Sequence, residues 1–260
     1  MPQRHPYTIL LTGATSAIGA ALAVAYAQAG VTLHLHGRNH EKLRHVAQAA
    51  EALGARVTER SFDIRESETL RRWVNDCLAQ GPLDLVISNA GMNIDTGPHE
   101  EGESWEESEA LMAVNLHASR VLVDAVLPDM RMRMAGQIAL MSSLAGYFGL
   151  PVTPSYCASK AAIKAYGEAL RGWLAKEGVK INVIMPGYVD SAMCRAMPGP
   201  KPFLMSPERA ARIIRRGLAR DRARISFPFP LNFGTWWLAV LPVLVSLWIV
   251  GRMGYGGHHD

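Results

Sequence analysis

Short apolar runs alternate along the chain with longer amphipathic stretches. Tyr7 to Leu11, Val31 to His36, Val57 to Phe62, Leu83 to Ser88, Ile138 to Met141, Ile181 to Met185 and Ile225 to Phe227 are short enough to be buried strands. Helical segments of about 10–15 residues separate them. One is alanine-rich and runs to about Ala29; another covers Asn39 to Leu53; a third begins near Glu66. A fourth runs from about Trp105 through Asn115 to near Met134. A fifth starts at Pro154-Ser155, and a sixth at Ser206-Pro207-Glu208, with serine as cap and proline in the first turn. Strand–helix alternation of this kind predicts an α/β fold, a doubly wound parallel sheet whose site lies at the carboxyl ends of the strands.

The chain has 260 residues, near the upper end for one core. Residues 1–228 read as a single nucleotide-binding catalytic domain and 229–260 as an apolar C-terminal extension. With 49% hydrophobic and 19% charged residues the protein is globular and on the apolar side. The net charge of +4 comes with no basic–aromatic pattern, so no nucleic acid partner is expected. Cys77, Cys157 and Cys194 have neither metal nor disulfide spacing, which suits a reducing, cytoplasmic setting. The nine histidines form no ligand spacing and no metal is expected; His34 and His36 alternate along a strand and could be solvated. Met-Pro-Gln-Arg-His-Pro at the start lacks the features of a secretory leader.

The first strand is followed by Thr12-Gly13-Ala14-Thr15-Ser16-Ala17-Ile18-Gly19 and then a helix. Strand, glycine turn and helix together present backbone N–H groups and a helix N-terminus to phosphate. The second strand ends at Gly37-Arg38-Asn39, where an NAD site usually carries an acid. Arg38 stands there instead and could fork onto a 2′-phosphate, favouring NADP(H) with NAD(H) possible; it could also be a surface arginine. Asp63-Ile64 closes the third strand, and the carboxylate could accept from an adenine amino group or cap the next helix. Asn89-Ala90-Gly91 closes the fourth with residues small enough for close backbone approach. Tyr156 and Lys160 are four apart and share one helical face. An ammonium beside a phenol lowers the phenol's pKa, and a phenol so tuned can exchange a proton near neutral pH. Ser143, at the end of the preceding strand, could donate to the same substrate oxygen.

Taken together, Thr12-Gly13-x-x-x-Ala17-x-Gly19, Asn89-Ala90-Gly91, Val114-Asn115, Ser142-Ser143, Tyr156-x-x-x-Lys160 and Pro186-Gly187 make the chain resemble the short-chain dehydrogenase/reductase family over about residues 7–225. The resemblance implies a Rossmann-like fold and reversible hydride transfer between a nicotinamide and a carbonyl or alcohol carbon. It implies Tyr156 as proton donor or acceptor and Lys160 as holder of the nicotinamide ribose. It makes Ser143, which has the family's usual interval to Tyr156, the residue that orients the carbonyl, and Asn115 the support of a water relay. Pro186, Gly187, the Val189 backbone and the Ser191 hydroxyl would meet the nicotinamide amide, where the family more often has threonine than Ser191. Ala17 replaces the family's middle glycine. Homodimers or tetramers are usual among proteins it resembles. A protein with this fold that senses nucleotide or acts as a scaffold without turnover is the alternative.

Residues 192–205 lie where that family places a mobile lid. Met193, Met197, Phe203, Leu204 and Met205 make it apolar, either for a hydrophobic, lipid-like substrate or for packing. Arg209, Arg212, Arg215, Arg216, Arg220, Arg222 and Arg224 read as a solvated face or as attraction to phospholipid. From Ile225 to Gly251 no residue is charged. Phe233 to Val250 is interrupted by Pro242, and Trp237 to Trp248 would extend only about 16 Å as helix against a hydrocarbon core of roughly 30 Å. A bent or interfacial element at the cytoplasmic face of a membrane, touching it through 229–251, is therefore expected rather than a span. The competing reading is an arm buried in a homodimer or lining the substrate pocket.

Overall fold

A computed structural model describes residues 7–97, 101–197 and 199–255. The N-terminal residues 1–6, residues 98–100 with Glu100 of the acidic stretch, Pro198 and the extension's residues 256–260 lie outside the described residues. Seven strands are present in this part: β1 (Thr8–Leu11), β2 (Thr32–His36), β3 (Arg56–Arg60), β4 (Leu85–Ser88), β5 (Gly136–Met141), β6 (Val179–Pro186) and β7 (Arg224–Phe227). They form one parallel sheet in the order β3-β2-β1-β4-β5-β6-β7. The helices of the described residues are α1 (Ala17–Tyr26), α2 (His40–Glu51), α3 (Ser67–Ala79), α4 (Trp105–Met112), α5 (Ala118–Met132), α6 (Pro154–Trp173), α7 (Ala192–Ala196), α8 (Pro207–Ala219), α9 (Leu231–Val240) and α10 (Val243–Val250).

The apolar runs are buried because helices cover both faces of the sheet, as parallel pairing requires. Leu22, Leu43 and Ile214 from α1, α2 and α8 close one face over Ile9, Leu33 and Leu35. Leu70, Leu122 and Ile163 from α3, α5 and α6 close the other over Leu10, Val86 and Ile138. Strand order reverses between β1 and β4, so the loops leaving their carboxyl ends part and open a crevice there.

Several expectations are corrected. His34 and His36 are buried, since β2 lies inside the sheet; His34 bonds Thr58 Oγ1 (2.7 Å), and His36 bonds the Phe62 carbonyl (3.1 Å). Burial lowers both pKa values. The third strand ends at Arg60, because Phe62 turns to pack against His36 and Trp73. The helix expected from Trp105 to Met134 is α4 and α5 joined by one wide turn, Ala113–His117. The acidic stretch is more than a solvated loop: Glu103 accepts from the Ser155 N–H (3.0 Å) at the positive end of α6.

The apolar extension bends at Pro242 into α9 and α10, and the Ser246 hydroxyl ties them by donating to the Leu238 carbonyl (2.8 Å). Among the described residues one helix, Trp105–Met132, is long and apolar enough to cross a membrane; 56% of its apolar window is buried inside the protein.

Candidate active site

The first turn is held open by its neighbours. Gly13 has φ +66°, and a Cβ there would stand 2.7 Å from Ala90 Cα. The Asn89 amide donates to the carbonyls of Thr12 (3.1 Å) and Gly13 (2.9 Å) and to Ser16 Oγ (3.1 Å). The Thr12 hydroxyl accepts from the N–H groups of Asn89 (3.0 Å) and Ala90 (3.2 Å). The loops after β1 and β4 are thus one unit. Ser16 caps α1 by accepting from the Gly19 N–H (3.1 Å), and no acid occupies that helix's first turn. Thr15, Ser16, Ala17 and Ile18 line a cavity at this positive helix end.

Arg38 is exposed at the end of β2, and its guanidinium makes no ion pair among the described residues. Thr15 packs against Gly37 beside it. Asn39 caps α2, accepting from the Lys42 N–H (2.8 Å). Asp63 pairs with Arg65 (2.6 Å), which holds its carboxyl at about 2; the cap position of α3 belongs to Glu66. Ile64 is buried beneath this turn.

The same cavity runs past Asn89 and Gly91 to Ser143, Tyr156, Lys160, Pro186 and Gly187. Its volume is about 310 Å³, within the range of small-molecule sites. β5 and α6 supply the chemistry. Ser142 is buried and donates to the Lys160 carbonyl (2.7 Å), pinning α6 to β5. Ser143 donates to the Pro186 carbonyl (3.4 Å), accepts from the Ala145 N–H (3.2 Å) and lines the cavity with Tyr156. Lys160 is buried, donates to the Met141 carbonyl (3.1 Å) and stands over the Tyr156 ring, 5.5 Å from its centre. A Cβ on Gly91 would come within 3.2 Å of Asn115 Oδ1 and 3.5 Å of Lys160 Nζ. Asn115, on the wide turn between α4 and α5, is buried; its amide donates to the Met92 carbonyl (3.0 Å) and Ser159 Oγ (3.0 Å), and its Oδ1 accepts from the Met92 N–H (2.9 Å).

The expected depression of the Tyr156 pKa is not seen. Burial pushes the phenol up to about 12, opposed by the hydrogen bond with Ser143. Burial also brings Lys160 down to about 8. The ammonium faces the ring and the Met141 carbonyl, and desolvation outweighs any attraction between the two.

Beyond β6, Val189 is buried, and Ser191 caps α7 by accepting from the Cys194 N–H (3.0 Å). The lid begins and ends side by side: the Met205 N–H donates to the Tyr188 carbonyl (3.1 Å) and the Asp190 N–H to the Met205 carbonyl (2.9 Å). Met193, Met197 and Pro202 of this segment line the cavity, while Phe203 and Leu204 are exposed.

The opposite wall is the C-terminal arm, which the sequence left open as a lining of the substrate pocket without naming the residues. Leu231, Thr235 and Leu238 of α9, Val250 of α10, and Met253 and Tyr255 beyond it line the cavity. The i, i+4, i+7 spacing of Leu231, Thr235 and Leu238 was a legible signal of one inward face. Tyr188 and Tyr255 were missed. The Tyr188 hydroxyl donates to that of Tyr255 (2.7 Å), which donates to the Pro200 carbonyl, and no spacing announced the pair.

The short chain dehydrogenase sequence model matches residues 7–199, and the chain belongs to that family of oxidoreductases. Members generally bind NAD(H) or NADP(H). An uncharacterized oxidoreductase of Myxococcus xanthus is 34% identical over 236 residues, covering 90% of this chain and 92% of that protein. The 3-oxoacyl-[acyl-carrier-protein] reductase FabG of Aggregatibacter actinomycetemcomitans is 35% identical over 71% of this chain and 76% of its own. The fold is shared with a short-chain dehydrogenase of Streptomyces avermitilis, with a TM-score of 0.78, 24% identity, and coverage of 94% of this chain and 96% of that one.

Proposed function

We propose that this chain is an NADP(H)-dependent oxidoreductase that interconverts a hydrophobic, lipid-like carbonyl and its alcohol, using Ser143, Tyr156, Lys160 and Asn115. The observation that carries this reading is the single cavity joining the α1 N-terminus to the Ser143–Tyr156–Lys160 cluster and on to an apolar wall. A dinucleotide fits the near end: Thr15 to Ile18 line the cavity at the N-terminus of α1, and no acid in that helix's first turn offsets its positive pole. Thr15 to Ile18 would take the pyrophosphate, with Gly19 packing beneath them. Arg38 would take a 2′-phosphate. Asp63, Ile64, Asn89 and Ala90 would flank the adenosine half. Lys160 would hold the nicotinamide ribose, and Pro186, Gly187, Val189 and Ser191 would border the ring. When bound, the cofactor supplies or receives the hydride.

The chain's own work is to place a proton. Ser143 and Tyr156 both line the cavity, and a substrate oxygen bound between them would accept from both hydroxyls. A phenol that desolvation raises to about 12 keeps its proton at neutral pH, so it stands ready as the acid for an alkoxide forming during reduction. Asn115 braces the Met92 segment and the Ser159 turn against Lys160. Similarity to FabG, a 3-oxoacyl-[acyl-carrier-protein] reductase, is compatible with a substrate carrying a carbonyl on an apolar chain. The same reading takes the protein as a cytoplasmic homodimer or tetramer whose extension touches a membrane surface through 229–251.

The test is NADPH-dependent turnover over a panel of carbonyls of increasing chain length. Tyr156→Phe should lower kcat by about 10²- to 10⁴-fold with NADPH still bound. Turnover within a few-fold of the parent would discard the mechanism. NADPH binding without turnover on any carbonyl by the parent chain would favour the sensor or scaffold reading.

A further inference from the structure

The two helices that roof the cavity are apolar on both sides. Leu231, Thr235 and Leu238 of α9 face the cavity, whereas Phe233, Trp236, Trp237 and Val240 on the other side are 40–53% exposed. In α10, Ser246 and Val250 are buried, and Val243, Leu244, Val245, Leu247 and Trp248 are exposed. A roof helix facing water would carry charge on its outer side; this pair carries none from Ile225 to Gly251. Phe233, Trp236 and Trp237 pack their rings together at the surface, with centres 5.4–6.0 Å apart. At the far end Arg252 lies 4.5 Å from the centre of the Trp248 ring.

The chemistry of this face selects its occupant. Clustered tryptophans rimmed by a cation, with no carboxylate among them, match the boundary between lipid headgroups and acyl chains. The basic chain, pI about 9.1, is complementary to anionic headgroups. The ten residues of α9 and eight of α10 extend only about 15 Å and 12 Å as helix, so the pair lies in the interface and does not cross.

The roof is held down at a few points. Tyr255, 5% exposed, bonds the Tyr188 hydroxyl on the floor and the Pro200 carbonyl on the lid. It closes the lid, the arm and the strand-end loop over the cavity together. We infer that α9 and α10 form a lipid-responsive roof. Seating their outer face in an anionic bilayer works against the Tyr188–Tyr255–Pro200 latch and opens the cavity toward the acyl region, from which a carbonyl on a long apolar chain enters. This rests on the membrane contact proposed above and adds its consequence for access to the site.

Two measurements on the full chain test it without requiring turnover. Tryptophan fluorescence is followed with phosphatidylcholine vesicles, with and without phosphatidylglycerol, carrying brominated acyl chains. Hydrogen exchange is followed over residues 188–205 and 231–255. Anionic vesicles should quench the parent's fluorescence and speed exchange at both segments by fivefold or more. The variant Trp236→Ser/Trp237→Ser/Trp248→Ser should lose both responses while keeping its thermal transition. Tyr255→Phe should show the faster exchange before any vesicle is added. Quenching without faster exchange overturns the opening. A parent that ignores vesicles but sediments as a dimer, becoming monomeric in the triple variant, overturns the lipid surface in favour of a second copy. Neither result bears on whether carbonyls are reduced, so failure of the roof and failure of the oxidoreductase reading remain distinguishable.

Discussion

The two walls of the cavity are built on opposite plans. The catalytic wall, from β4, β5, β6 and α6, is set into the core: Ser142, Ser159, Lys160 and Asn115 are buried, and each hydrogen-bonds across elements or to a neighbouring turn. The arm wall is laid on top. Its lining residues are half-buried or more, yet the same two helices expose a continuous series of large apolar side chains. α8 shows what an ordinary covering helix does with the same problem. It buries Ala210, Ala211, Ile214 and Leu218 and turns Arg209, Arg212 and Arg216 outward. The contrast separates precision from adaptability. A proton must be placed to within a hydrogen bond, which core packing can guarantee, whereas an apolar chain needs only a yielding surface.

The largest effect separates the walls by pH, since from Ile225 to Gly251 the arm has nothing to titrate. Lys160 sits at about 8 against an ordinary 10.5. In the cofactor-free protein the unfolded chain therefore binds more protons between those values. Stability rises with pH across that window, by roughly 3 kcal/mol in all. Tyr156 has the opposite sign. Its pKa is raised from 10.0 to about 12, so the folded state holds the proton longer and stability falls above pH 10. Lys160→Met should melt higher than the parent at pH 7, and the gap should close as pH approaches 10.5. A gap independent of pH would show that Lys160 carries no burial cost.

A smaller effect comes from the other wall. Leu238 is half-buried and lines the cavity from α9. Leu238→Trp should raise KM for a long-chain carbonyl about tenfold, the scale of one or two lost methylene contacts, with kcat little changed because the proton machinery lies opposite. A fall in kcat with KM unaltered would mean that the arm helps to set the reacting geometry, and the division between walls would break down.

What was readable in the sequence follows the same division. The strand–turn–helix junction at Gly13, the strand ends at Asn89 and Ser143, and the one-turn spacing of Tyr156 and Lys160 are local patterns. Each lies where its spacing implied. The Tyr156 pKa was misread because spacing reports proximity along a helix but not desolvation, which dominates here. The solvation of His34 and His36 was left open for the same reason: period-two alternation implies one solvated face only when a strand is not covered on both. The arm was half-legible. Its missing charge and the break at Pro242 were visible, but with apolar residues all round neither helix reveals which side faces the protein. The family match also stops at residue 199, before either helix begins.

The finest version of the comparison uses two serines that do the same chemistry, one in each wall. Ser142 donates to the Lys160 carbonyl (2.7 Å) and Ser246 to the Leu238 carbonyl (2.8 Å), and both are buried. Leu238 is in the last turn of α9, whose carbonyls lack helical partners; Lys160 is in the interior of α6, where the carbonyl gains a second donor. Replacing either serine by alanine should remove about 1 kcal/mol. On the catalytic wall that loss belongs to the cooperative core, so Ser142→Ala should lower Tm by about 2–4 °C. On the arm it is met by local opening. Ser246→Ala should leave Tm in place and speed hydrogen exchange of residues 243–250 about fivefold, with β5 unaffected. Equal Tm losses from the two changes would mean that the hairpin folds as part of the core, and that its apolar outer face is tied as firmly as the sheet beneath it.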